Sequence, residues 1–93
     1  MAIYLKDPAS SVDYSVDWGE WLAASEAIVS TTWSIDPAGA SAPLLGVETV
    51  SETTRSVFVS GGTLGERYRL SCRIQTDGGR TADRSLIIRI AER

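Results

Sequence analysis

Three kinds of residue in this chain could do chemistry. Asp13, Asp17 and Glu20 gather carboxylates that could ligate calcium, but their spacing matches no known calcium-binding loop, so they read as a solvated acidic face. Gly61-Gly62-Thr63-Leu64-Gly65 has the glycine density of a phosphate-cradling loop and lacks its lysine. Lying between two strand patterns, it reads as a tight corner. Serines are abundant, yet with no histidine in the chain and no lysine expected in a strand, none has an activating base. The lone Cys72 cannot form an intramolecular disulfide and falls on an apolar face, where it reads as a small buried hydrophobe. No catalytic residue, no metal site and no cofactor is expected, and enzymatic activity is excluded as an expectation.

The elements that position these residues are organised around the stretch from Glu66 to Ala91. Tyr68, Leu70, Cys72 and Ile74 alternate with Arg67, Arg69, Ser71 and Arg73, the pattern of a half-buried strand. A second strand follows from Thr81. A two-residue loop between them would turn Leu86, Ile88 and Ile90 to solvent. A three-residue loop Asp77-Gly78-Gly79, with Gly79 in the left-handed region, instead sets Tyr68 opposite Ile88, Leu70 opposite Leu86 and Ile74 opposite Ala82. The same register puts Arg73 opposite Asp83 and Arg69 opposite Ile87 on the outer face.

Upstream, Val12–Trp18 alternates with Val12, Tyr14, Val16 and Trp18 on one face. Asp17-Trp18-Gly19-Glu20 has capping-box spacing and predicts a short helical turn carrying Trp21 and Leu22. Ala27–Ile35 predicts a strand with Val29, Thr31, Trp33 and Ile35 inward and Trp33 at the centre of the core. Asp36–Pro43 is an irregular connector rich in proline, glycine and alanine. Leu44–Val50 is a weaker strand with Leu45, Val47 and Thr49 alternating against Gly46, Glu48 and Val50, and in Arg55–Ser60 Val57 and Val59 oppose Phe58. The segment Lys6–Ser11 reads as a loop.

Ninety-three residues, 43% of them hydrophobic, suit one domain over residues 1–93. The expected class is all-β: a single immunoglobulin-like or fibronectin III-like β-sandwich with a short helical turn. Tyr68 sits where such sandwiches place a tyrosine whose hydroxyl bonds to the preceding corner. No apolar run is long enough to cross a membrane and the N-terminus lacks the pattern of a signal peptide, so synthesis in the cytoplasm and no membrane are expected. No nucleic-acid partner is expected either.

Charge is uneven. Before Ser51 the chain carries one basic residue against seven acids; from Ser51 on it carries eight arginines against five acids. This implies an arginine-rich face for an anionic partner, two complementary faces meeting head to tail between copies, or a solvated sheet surface. The interface candidates are the outer-face arginines Arg67, Arg69, Arg73 and Arg89, with Trp21 and Phe58 as aromatics that one small core would struggle to cover.

Lys6-Asp7-Pro8, Asp13-Tyr14-Ser15-Val16-Asp17-Trp18 with Trp21-Leu22, Ser30-Thr31-Thr32-Trp33, Val59-Ser60-Gly61-Gly62-Thr63 with Gly65, and Tyr68 form a chain-long pattern. It continues through Ile74-Gln75-Thr76 and Gly79-Arg80-Thr81-Ala82-Asp83-Arg84-Ser85. Together these residues resemble the small tailed-bacteriophage fiber-tail adaptor proteins. The resemblance implies a non-enzymatic structural protein of the virion, in several copies around a symmetry axis, joining the tail or head-tail connector to tail fibres. Its implied partners are other phage tail, connector or fibre proteins. A capsid decoration protein and a free-standing binding or adhesion sandwich are the alternatives.

Overall fold

The computed structural model describes residues 3–92. Strands β1 (Ile3–Lys6), β2 (Ser11–Asp17), β3 (Ile28–Asp36), β4 (Leu44–Ser51), β5 (Thr54–Ser60), β6 (Arg67–Thr76) and β7 (Thr81–Ile90) form two sheets. One has the order β1-β7-β6-β3 and the other β2-β5-β4. This is the strand arrangement of an immunoglobulin-like sandwich, with the first strand laid parallel to the last.

The β6–β7 hairpin has the predicted register: Tyr68 faces Ile88, Leu70 faces Leu86, Ile74 faces Ala82 and Arg73 faces Asp83. Gly79 has φ +81°, and Gly79 N–H donates to Thr76 O at 3.1 Å, closing the three-residue loop. Alternation along both strands sends Tyr68, Leu70, Cys72, Ile74, Leu86, Ile88 and Ile90 inward, against Val57 and Val59 of β5 and Tyr14 of β2. Tyr68 makes the expected corner. Its hydroxyl accepts from Thr63 N–H at 3.3 Å and donates to Ser41 O at 3.2 Å, tying the glycine corner and the connector to β6.

Several expectations are corrected. Residues 3–6 form a strand that the sequence reading left unassigned, because four residues show no period and their partner lies at the far end of the chain. Lys6 therefore does lie in a strand, but it is buried and its Nζ donates to Asp7 O and Gly61 O, at 2.9 and 2.8 Å, so it serves as no base for serine. Burial pulls its pKa down, with the Asp7 charge acting the other way. The short helical turn is absent. Asp17 Oδ1 accepts Gly19 N–H at 2.9 Å and Thr53 Oγ1–H at 2.9 Å, so the carboxylate makes a two-residue turn instead of capping a helix, and residues 18–22 close as hydrogen-bonded turns.

In β3 the pairing with β6 slips between Ile28 and Ser30. The bulge brings Ile28 onto the Trp18 cluster and leaves Val29 63% exposed, the reverse of the predicted faces. Trp33 is half-buried and touches both core clusters, whereas Trp18, 1% exposed, is the fully buried tryptophan. Trp33 lies on an edge strand, flanked on one side only. A second slip, between Leu45 and Glu48, flips β4: Glu48 and Val50 pair with the inward-facing Val57 and Arg55, and Val47 is exposed. Arg55 is buried where the sheets meet, donating to Thr31 Oγ1, Glu52 O and Thr54 O.

Candidate functional site

The carboxylates Asp13, Asp17 and Glu20 do not gather into one group. Asp17 is spent on its turn, whose backbone hydrogen bond from Gly19 holds its pKa below the usual carboxylate range. Among the described residues no cluster of histidine, cysteine or acids could hold a metal. The glycine-rich stretch is a corner: Gly61 O takes the Lys6 ammonium, and Gly65 N–H donates to Ile90 O at 2.8 Å. Cys72 is buried, and desolvation pushes its thiol pKa up.

The charged surface lies on the outer face of the four-stranded sheet, and strand register arranges it as rows. Ile3 of β1, Ile87 of β7, Arg69 of β6 and Asp36 of β3 are successive partners in one row; Leu5, Arg89 and Arg67 are partners in the next. Arg67 thus stands directly opposite Arg89. Like charges directly opposite one another on a sheet repel. Among the described residues none of Arg67, Arg69 and Arg89 has an ion pair or side-chain hydrogen bond, although Asp36 neighbours Arg69.

The other arginines on this side of the chain are engaged. Arg73 makes a bidentate pair with Asp83, at 2.9 and 3.1 Å, which holds the acid's pKa down. Arg84 donates to Asp17 O at 2.9 Å and lies over the Trp18 ring. Arg80 binds Glu26 through Nε and Nη2, with Nη2 also reaching Trp21 O. Beside the free arginines, Thr32, Ser34, Ser71 and Ser85 join Arg69, Arg73 and Asp83 around a shallow depression of about 460 Å³.

The two aromatic candidates have different surroundings. Trp21 is half-buried, edge-on to Trp18 with centroids 5.5 Å apart, and the Arg80 guanidinium sits 3.9 Å above its ring. Phe58 lies on the outer face of the three-stranded sheet, 39% exposed, opposite Asp13. The β4 bulge sets Gly46 and Val47 beside it, and Leu44 follows one row away.

A family model described as podophage GP4 fiber-tail adaptor protein gp77 matches residues 6–89. This chain belongs to that fiber-tail adaptor family. A comparison with curated proteins finds no match. The matched span runs from the buried Lys6 to the exposed Arg89, so it takes in every interface candidate of this adaptor. Of those candidates, the fold brings Arg67, Arg69 and Arg89 together on one sheet and sets Arg73 farther along it, bound to Asp83. Phe58 belongs to the opposite sheet, and Trp21 packs at one end. The sequence reading missed the exposed Ile3 beside Ile87 and the exposed Leu44 and Val47 beside Phe58. Only the β1 pairing, which joins the two ends of the chain, and the β4 bulge could reveal them.

Proposed function

We propose that this chain is a non-enzymatic, multi-copy adaptor of the phage virion, joining the tail or head-tail connector to tail fibres. Its one domain, residues 1–93, docks through the free arginines Arg67, Arg69 and Arg89 onto an acidic surface of a neighbouring particle protein. The observation that carries this reading is the facing pair Arg67 and Arg89 with Arg69 alongside: among the described residues these three make no ion pair, while their neighbours Arg73, Arg80 and Arg84 are all engaged. An anionic partner would relieve that repulsion and steer association. Nucleic acid and membrane are not partners in this reading.

The test is Arg69→Glu with Arg89→Glu in the producing phage. Purified particles are expected to lose the protein and their fibres. Fully fibred, infectious particles carrying the variant would refute the arginine surface. Absence of the wild-type protein from wild-type particles would refute the adaptor reading.

A further inference from the structure

The outer faces of the two sheets complement each other in charge and in polarity. On the four-stranded sheet, Ile3 (57% exposed) and Ile87 adjoin Arg69, Arg67 and Arg89. On the three-stranded sheet, Phe58, Val47 (67% exposed) and Leu44 (72% exposed) adjoin Asp13, which faces Phe58 across β2 and β5. Each surface sets an apolar group against one sign of charge, and the signs are opposite.

We infer that the partner of the arginine surface is a second copy of this chain, whose Phe58–Val47–Leu44 face stacks on the Ile3–Ile87 strip while its Asp13 meets Arg67 and Arg89. The inference rests on the multi-copy reading above and names the occupant of that same surface. Three observations favour a copy over an unrelated acidic protein. The two patches occur on one molecule, so any two copies carry a matching set. They lie on opposite sheets, so the contact is heterologous and leaves a free patch at each end to continue the series. The apolar residues also fit: an arginine cluster serving only a charged ligand gains nothing from Ile3 beside it, whereas an apolar centre with a charged rim is the build of a protein interface. Asp36, the cross-strand neighbour of Arg69, lies on the side of the row away from Ile3, and among the described residues Arg67 and Arg89 make no ion pair. Lys6 does not compete for Asp13, because its ammonium is buried on Asp7 and Gly61 carbonyls.

The contact can be trapped in particles. Phage carrying Phe58→Cys and Ile87→Cys on the same chain are purified and mildly oxidised, and the protein is run on a non-reducing gel. The buried Cys72 takes no part. A ladder of dimers, trimers and higher species is expected from the double variant, and none from either single variant, since the contact sets position 58 against position 87. Normal copy number and fibres without a ladder would overturn the stacking and leave the adaptor reading intact. A dimer from either single variant would overturn it in favour of a two-fold contact.

Absence of the protein from wild-type particles refutes the adaptor reading; in that case, or if the cysteine variants fail to enter particles, sedimentation of the purified wild-type chain decides the stacking. Its average mass is expected to rise at least twofold over the monomer at high concentration and low salt, and to return to monomer in 1 M salt. It should stay monomeric in Asp13→Arg and in the Arg67→Glu, Arg89→Glu double variant. Mixing these two is expected to restore association into species larger than dimers, because every contact between unlike copies again sets opposite charges together, the native pair in one contact and the reversed pair in the next. A wild-type mass that stays monomeric throughout would then overturn the stacking.

Discussion

Tyr68→Phe removes one oxygen and leaves the ring in place, which makes it a clean probe of the corner. The hydroxyl is buried with its ring, accepts from Thr63 N–H and donates to Ser41 O. Its loss does not strand both partners. Ser41 O keeps the hydrogen bond from Thr63 Oγ1 at 3.0 Å, so only the Thr63 amide is left without an acceptor. A neutral hydrogen bond contributes about 0.5–1.5 kcal/mol net, and Thr63 is exposed, so water can take over its amide and no further penalty for a stranded donor is added. The expected loss is therefore about 1 kcal/mol. With a urea dependence of ~1 kcal/mol/M for a protein of this size, the midpoint should fall by roughly 1 M with no change in slope. Urea denaturation followed by tryptophan fluorescence reads this directly, because Trp18 is fully buried in the native state. A midpoint shift under about 0.3 M would show that the hydroxyl does not anchor the corner.

Four further outcomes are expected. Gly79→Ala should cost about 1 kcal/mol by denaturation, because φ is positive there. Gly78→Ala acts differently: its Cβ would fall 2.9 Å from Glu26 Oε2, so its cost should shrink in a Glu26→Ala background while that of Gly79→Ala does not. Ile28→Ser should cost about 1–3 kcal/mol and Val29→Ser under about 0.5 kcal/mol, and the reverse order would remove the β3 bulge. Cys72 should resist a thiol reagent in the native protein and react fully in denaturant. Hydrogen bonds from Arg80, Thr76 and the Ala23 amide hold the Glu26 pKa down to about 2, against an ordinary 4.5. The stability this contributes is complete above pH 4.5 and is lost as pH falls through about 2. Glu26→Gln should therefore flatten the acid limb of a stability-against-pH curve, leaving the residual slope to Asp17 and Asp83.

What the sequence made legible was whatever depends on neighbours in the chain. The β6–β7 hairpin could be registered to the residue because loop length and alternation constrain each other within one turn. The Tyr68 corner and the outward arginines followed from the same parity. Faces were lost wherever one extra residue entered a strand: at Val29 and at Gly46-Val47 the periodicity continues in the sequence while the chain slips against its partner. Trp33 was placed deeper than Trp18 because sequence carries no sign of which strand ends a sheet. The interface side followed the same division. Arg67, Arg69 and Arg89 could be assigned to one face from alternation, and the same register set Arg73 opposite Asp83. The apolar strip beside them depends on β1, whose partner is some eighty residues away.

The edges of the two sheets bear on what the protein must avoid. Edges with open hydrogen-bonding groups recruit further strands, and crowded identical copies are the setting in which cross-β growth begins. β1 ends in an inward lysine, β3 and β4 are broken by bulges, and the Arg84 guanidinium covers the Asp17 carbonyl at the end of β2. Strand-by-strand propagation is obstructed at each of the four edges, so in the multi-copy assembly proposed above neighbouring copies would keep their identity as separate folded bodies. Association there would be confined to side-chain surfaces that can let go, which would leave a misplaced copy correctable.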